Sequence, residues 1–150
     1  MNTKPIRVLF LCTGNSARSV IAEALLKEIG GAAFEVYSAG THPKGLNPFT
    51  EKVLRQDGKD VSGFRSKGLN EFVGQDFDYV ITVCDQAAEE CPVFPDDTKR
   101  IHWSFPDPAA VEGTDVVKLA AFQETLRNMR QRISVFVPVA VRGAAEAATA

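Results

Sequence analysis

The 150 residues alternate between short apolar runs and longer stretches in which apolar positions recur every three or four residues. Residues 6–11 (I-R-V-L-F-L) form a nearly unbroken apolar run, which suits a central parallel strand covered on both faces. From Arg18 the spacing changes. Ile21, Ala24, Leu25 and Ile29 share one helical face, and Gly30-Gly31 stops that helix. Residues 34–38 read as a second strand, 78–83 (D-Y-V-I-T-V) as a third and 99–103 as a fourth. Asn47 or Pro48 can start a second helix through about Gln56, residues 69–73 predict a helical turn, and 86–90 a short helix leading to Cys91-Pro92. Residues 39–48 and 61–67 are rich in turn formers and read as loops. The longest helix begins near Thr114 or Asp115. Its Leu119, Phe122, Leu126, Met129, Ile133 and Phe136 alternate spacings of three and four, one continuous stripe that belongs to the core. Pro138 interrupts the stripe, and 143–150 is expected to fray, leaving 1–142 as a single domain.

Strands alternating with helices predict an α/β fold around a small parallel sheet. In such sheets ligands sit beyond the carboxyl ends of the strands. That rule gathers three features on one edge: the loop after Cys12, Cys84 at the end of the third strand, and Asp107 beyond the fourth. Composition is ordinarily globular, with 45% hydrophobic and 24% charged residues, and a net charge of −2 with signs interspersed. Such a balance points to no nucleic-acid partner and no membrane surface. The opening M-N-T-K-P runs straight into a strand without a secretory apolar region, so a cytoplasmic protein is expected. No exposed apolar stripe asks for a second copy, and a monomer is expected.

The stretch 7–19, R-V-L-F-L-C-T-G-N-S-A-R-S, carries the chemistry. A buried strand ends on a thiol, a short polar loop follows, and Arg18 opens a helix. Backbone N–H groups of Thr13, Gly14, Asn15, Ser16, Ala17 and Arg18 can converge on a tetrahedral oxyanion, with the Arg18 fork on two of its oxygens. The same field favours Cys12 as thiolate, the nucleophilic form, and Ser19 can donate its hydroxyl to the sulfur. A leaving oxygen needs a proton, and Asp107, held between Pro106 and Pro108, is the candidate general acid. The remaining cysteines, Cys84 and Cys91, are spaced C-x6-C, unlike structural zinc pairs, and neither histidine is placed to complete a zinc set. A second thiol beside Cys12 can instead attack the Cys12–oxyanion adduct and give up two electrons, provided the central atom accepts them. Arsenic(V) does so and phosphorus does not. A third thiol then resolves the new disulfide. Residues seven apart on a helix lie about 10 Å apart along its axis, whereas a disulfide needs Cα atoms within about 7 Å. Cys84 and Cys91 can therefore join only if 85–92 lose helical form.

C-T-G-N-S-A-R-S at 12–19, S-A-G-T at 38–41, F-R-S-K at 64–67, V-C-x6-C-P at 83–92 and H-W-x-F-x-D-P at 102–108 resemble the thioredoxin-coupled arsenate reductases, which share the low-molecular-weight protein tyrosine phosphatase fold. The resemblance covers essentially the whole domain. It implies a three-layer fold with a four-stranded parallel sheet flanked by helices. It implies Cys12 as nucleophile, Arg18 and the 13–18 amides as oxyanion ligands, and Asp107 as general acid. Cys84 then attacks the arseno-cysteine adduct and releases arsenite, and Cys91 closes a Cys84–Cys91 disulfide that thioredoxin reduces. No tightly bound cofactor is implied; a glutaredoxin or a low-molecular-weight thiol could replace thioredoxin as donor. Ala17 stands where several relatives carry a further cysteine outside the relay. Some relatives hold potassium near positions matching Asn15, Glu23 and Ser38, with an acid near 67; here Lys67 brings a cation instead, and no metal is expected. Two rivals remain at this stage. One is a low-molecular-weight protein tyrosine phosphatase, although Ala109, Ala110 and Val111 offer no aromatic grip for a phenyl ring. The other is an oxyanion- or redox-sensing module without turnover.

Overall fold

The computed structural model describes residues 4–149. Four parallel strands form a sheet in the order β2-β1-β3-β4, where β1 is Ile6–Cys12, β2 Phe34–Gly40, β3 Tyr79–Thr82 and β4 Lys99–His102. The most apolar strands take the two inner positions, and Val8, Leu9, Phe10, Leu11, Val80 and Ile81 are wholly buried. A strand paired on both edges and covered on both faces has little room for a polar side chain.

Four helices surround the sheet: α1 (Arg18–Gly30), α2 (Pro48–Gln56), α3 (Asp85–Glu90) and α4 (Asp115–Thr149). Alternation along β2 sends Phe34 to one face, against Phe136 of α4, and Tyr37 to the other, against Phe72 and Phe77. On the first face α1 packs on α4, and Tyr79 and Trp103 close edge-on against Phe136. The second face is covered by the 69–77 segment and by α3, whose Ala88 lines a cavity with Val80 and Thr82. Three layers result. The apolar stripe of α4 is its buried face from Phe122 to Phe136.

Two details depart from the sequence reading. β2 continues two residues into the expected loop, because Ala39 and Gly40 pair with Leu11 and Cys12. A side chain at Gly40 would meet Thr13 O at 2.6 Å and Asn15 N at 2.9 Å, so only glycine lets the loop after β1 lie this close. Second, Pro138 does not interrupt α4, which runs from Asp115 to Thr149 with the proline inside it. Pro138 removes the N–H that would bond the Ser134 carbonyl, and both residues lie on the exposed face, where solvent can satisfy that oxygen.

Candidate active site

β1 delivers Cys12 to the carboxyl edge of the sheet, residues 13–17 turn, and α1 starts at Arg18. The loop's carbonyls point away from its centre. Cys12 O accepts from Thr41 N, Thr13 O from His42 N, Gly14 O from Lys44 N and Ser66 Oγ, and Ser16 O from Asn47 N and Thr50 Oγ1. A loop whose carbonyls face outward at these four positions turns N–H groups inward. Asn15 shows the result: at φ 46°, a left-handed conformation that asparagine tolerates, its N–H donates to Cys12 Sγ at 3.2 Å.

The Asn15 side chain is wholly buried and acts as a hub. Its Nδ2 donates to Ser19 Oγ at 2.8 Å and Ser38 Oγ at 2.9 Å, while Oδ1 accepts from Lys67 N at 2.7 Å. These bonds fix the hydroxyl directions. Ser38 donates to Glu23 Oε1 at 2.5 Å. Ser19, which already accepts from Asn15, has its proton left for Cys12 Sγ at 2.9 Å. Two donors therefore converge on the sulfur, an arrangement that stabilises a sulfur anion.

Glu23 is buried on α1, and its carboxylate is met from both sides. Lys27 Nζ lies 2.7 Å from Oε2 and Lys67 Nζ 3.6 Å from Oε1. Burial pushes the Lys67 ammonium below the usual lysine range, and the attraction of Glu23 opposes that shift. A potassium ion at the positions the resemblance suggested does not fit here. Ser38 already bonds both Asn15 and Glu23, and the Lys67 ammonium, 3.6 Å from Glu23 Oε1, supplies the positive charge that a cation would bring. The sequence signal for this network was the single carboxylate inside the apolar run V-I-A-E-A-L-L at 20–26.

Arg18 reaches over the loop mouth. Its Nη1 donates to Phe105 O at 2.9 Å, and its Nη2 lies 3.8 Å from Asp107 Oδ2. Asp107 caps the short turn Pro108–Ala110, accepting from Ala109 N at 2.9 Å, which holds the carboxylate beside the arginine. Cys84, the residue before α3, lies with its Sγ 3.3 Å from Thr13 Oγ1, next to Cys12 in sequence. Cys91 sits at the other end of α3. Burial pushes its thiol above the ordinary range, opposed by the neighbouring Arg100 guanidinium. All three cysteines are unbridged. The structure thus brings Cys12, Ser19, Arg18, Asp107 and Cys84 to one edge and sets Cys91 one short helix away. The Asn15 side chain as hub, Thr13 beside Cys84 and Arg100 beside Cys91 escaped the sequence reading, because each depends on pairings between distant segments.

A thiol at the end of a parallel strand, within a loop whose N–H edge turns inward and beside an arginine, has the form of a cradle for a tetrahedral oxyanion with a nucleophile at its base. The chain belongs to the low molecular weight phosphotyrosine protein phosphatase family, whose model matches residues 7–141. An arsenate reductase of Halalkalibacterium halodurans is 42% identical over 136 residues, 91% of this chain and 96% of that protein. Among solved structures, an arsenate reductase in the phosphate binding state superposes with a TM-score of 0.71 at 27% identity, covering 89% of this chain and 97% of that one. A thioredoxin-dependent arsenate reductase of Corynebacterium glutamicum superposes with a TM-score of 0.63 at 29% identity, covering 89% of this chain and 65% of that one.

Proposed function

We propose that the chain is an arsenate reductase that works through a Cys12, Cys84 and Cys91 relay and is regenerated by thioredoxin. The observation that carries this reading is the placement of a second thiol, Cys84, against the loop that holds the first, through Thr13. A hydrolytic phosphatase has no use for it.

The steps follow from the positions. Arsenate enters the loop, where the inward amides and Arg18 hold its oxygens and Arg18 gives up its bond to Phe105 O. The Cys12 thiolate attacks arsenic, Asp107 protonates the departing oxygen, and water leaves. Cys84 attacks the Cys12 sulfur of the adduct. The arsenic–sulfur pair of electrons stays with arsenic, which leaves as arsenite, and Cys12 and Cys84 are joined by a disulfide. The Cys91 thiolate then attacks Cys84 and releases Cys12 as thiolate. Six helical residues separate Cys84 from Cys91, so this last step unwinds α3 and carries the new disulfide toward the surface, where a reduced thioredoxin can exchange with it. The relatives named arsenate reductase support the substrate, and the one named thioredoxin-dependent supports the donor. The reducing chemistry and the three unbridged thiols fit a cytoplasmic setting.

The test is arsenite production from arsenate with thioredoxin, its reductase and NADPH. Cys12→Ser and Cys84→Ser should be inactive, and Cys91→Ser should yield at most one turnover per chain. Sustained thioredoxin-coupled turnover by Cys91→Ser would refute the relay. Hydrolysis of phosphotyrosine outpacing arsenate reduction would instead favour a phosphatase.

A further inference from the structure

The chain has two histidines, and both reach from outside α3 to one of its ends. His102, on β4, places Nε2 2.9 Å from Oδ1 of Asp85, the first residue of α3, while its Nδ1 meets Thr82 Oγ1 at 2.8 Å. His42, in the loop after β2, places Nε2 3.2 Å from Oε2 of Glu90, the last residue of α3. Besides these two ties, Ser104 Oγ lies 3.4 Å from the same Asp85 Oδ1, and little else holds this helix. Ala87 is its one buried residue. Its internal side-chain bond, Gln86 Nε2 to Glu90 Oε1, is long at 3.3 Å. A helix of six residues has no stability of its own in water. We propose that His42 and His102 are positioning residues that latch α3 in its helical dithiol form, and that closing the Cys84–Cys91 disulfide requires the latch to open.

The inference rests on the relay proposed above, and the physical argument is one of linkage. With Cys84 and Cys91 at opposite ends of the helix, closure must shorten a separation of about 10 Å to less than about 7 Å. Asp85 and Glu90 lie just inside the two cysteines and cannot both keep their places as the ends converge. A contact present in the dithiol form and absent from the disulfide form favours the dithiol by whatever it contributes. Removing it shifts the equilibrium toward the disulfide. The two ties are unequal. Thr82 fixes the His102 ring, so its bond to Asp85 loses little side-chain freedom on forming, and one proton on Nε2 with Nδ1 accepting from Thr82 satisfies both nitrogens. The His42 side chain is 67% exposed and has no such support in the contacts around it. His102 is therefore the stronger tie.

The experiment uses the full chain carrying Cys12→Ser, in which only Cys84 and Cys91 can pair. The protein is equilibrated in mixtures of reduced and oxidised dithiothreitol. Two electrons and two protons pass from the cysteines to the cyclic disulfide of the reagent, which opens to its dithiol. Acid quenching, alkylation and mass spectrometry then read the disulfide fraction. His102→Ala should raise the equilibrium constant for disulfide formation about fivefold and His42→Ala about twofold, the range expected for exposed ties. The double variant should approach tenfold, because the two ends are separate sites. His102→Gln, which keeps a donor facing Asp85, should return most of the effect, and Asp85→Asn should shift the constant in the same direction as His102→Ala. Alkylation of Cys12 by iodoacetamide, in chains that retain it, should proceed at the same rate in all histidine variants, which separates a latch from a general loosening. A disulfide that forms normally, with a constant unmoved or lowered in the double variant, overturns the latch and leaves the relay standing. No Cys84–Cys91 disulfide in any variant overturns the relay and the latch together.

Discussion

Two segments carry the thiols, and they are built in opposite ways. The loop at 12–19 is buried almost throughout, and its polar groups are held by a closed chain of bonds through Asn15, Ser19, Ser38, Glu23 and Lys67. Segment 84–91 is a short, largely exposed helix with its flanking cysteines, in which Cys84 and Ala87 are the buried residues, tied at its ends by His102, Ser104 and His42 from elsewhere. The first arrangement suits preorganisation. Donors already aimed at a sulfur and at the place of an oxyanion need no reorganisation when charge arrives. The second suits motion, because low burial and solvent-exposed ties mark segments that open at small cost. If this contrast holds, substitutions in the loop network should be severe and substitutions in α3 mild.

The largest effect is expected at Asn15. Asn15→Ala leaves Ser19, Ser38 and the Lys67 N–H without the partner they share and frees the Ser19 proton from its direction toward Cys12. Arsenate turnover should fall about 100-fold, the scale of losing a preorganised donor. Stability should fall by roughly 3 kcal/mol, since several buried polar groups lose their partner. Turnover and urea titration read the two quantities. Activity within a factor of three of the parent would mean that the hub does not organise the site.

Glu23→Gln comes next. It removes the charge that Lys67, with a side chain only 10% exposed, faces across 3.6 Å, and a buried ammonium left without its counter-charge is costly. About 3 kcal/mol of stability should be lost at neutral pH, by denaturant titration. The sign of the pH dependence follows from Lys67. Its folded pKa is depressed, so the native state sheds this proton before the unfolded chain does. The associated penalty is present at pH values where an unfolded lysine is charged, and stability should rise as pH climbs through the depressed native value. That rise should be steeper in Glu23→Gln, where the opposing attraction is gone.

The pattern of what could be read from the sequence follows the same division. β1, the loop and the start of α1 were legible because their determinants are contiguous: an apolar run, a thiol, small polar residues and an arginine within 13 positions, 7–19. The long helix was legible from its stripe. Its continuity through Pro138 was not, because whether a proline breaks a helix depends on which face its missing bond falls on. The direction of the Ser19 hydroxyl was suggested by proximity, yet its cause, Asn15 Nδ2 donating to Ser19 while Lys67 N fills the Asn15 Oδ1 acceptor, requires Ser38 and Lys67 to be brought in from β2 and the 61–67 loop. The roles of His42 and His102 had no local signal at all. Both sit among turn or strand residues and acquire meaning only where the chain folds α3 against them.

A smaller effect is expected around Cys91. Burial holds its thiol above the ordinary range, and Arg100 works against that burial. The thiolate fraction at pH 7 is therefore small, and the rate of closure onto Cys84 should rise about tenfold per pH unit between pH 7 and 8.5. Arg100→Ala removes the opposing cation and should slow closure severalfold at pH 7 while moving the profile to higher pH. Stopped-flow alkylation competition after one arsenate turnover reads this step separately from adduct formation. A profile that is flat over that interval would mean that attack by Cys91 is not limited by its deprotonation.

The smallest effect discriminates most finely between the two segments. Gln86→Ala removes the bond from Gln86 Nε2 to Glu90 Oε1, an exposed pair one turn apart on α3. Such a pair contributes about 0.3 kcal/mol. In a chain of this length that shifts the melting temperature by about 1 °C at most, and adduct formation at Cys12 should not change. The same 0.3 kcal/mol acts in full on the helical form of α3, because the bond lies inside the segment that must unwind. The Cys84–Cys91 equilibrium should therefore move toward the disulfide by a factor of just under about two. A substitution invisible to global stability but visible to the disulfide constant is what a locally opening segment predicts. If α3 stays helical while the disulfide forms, the constant stays put, and the division between a rigid loop and a yielding helix fails at its weakest bond.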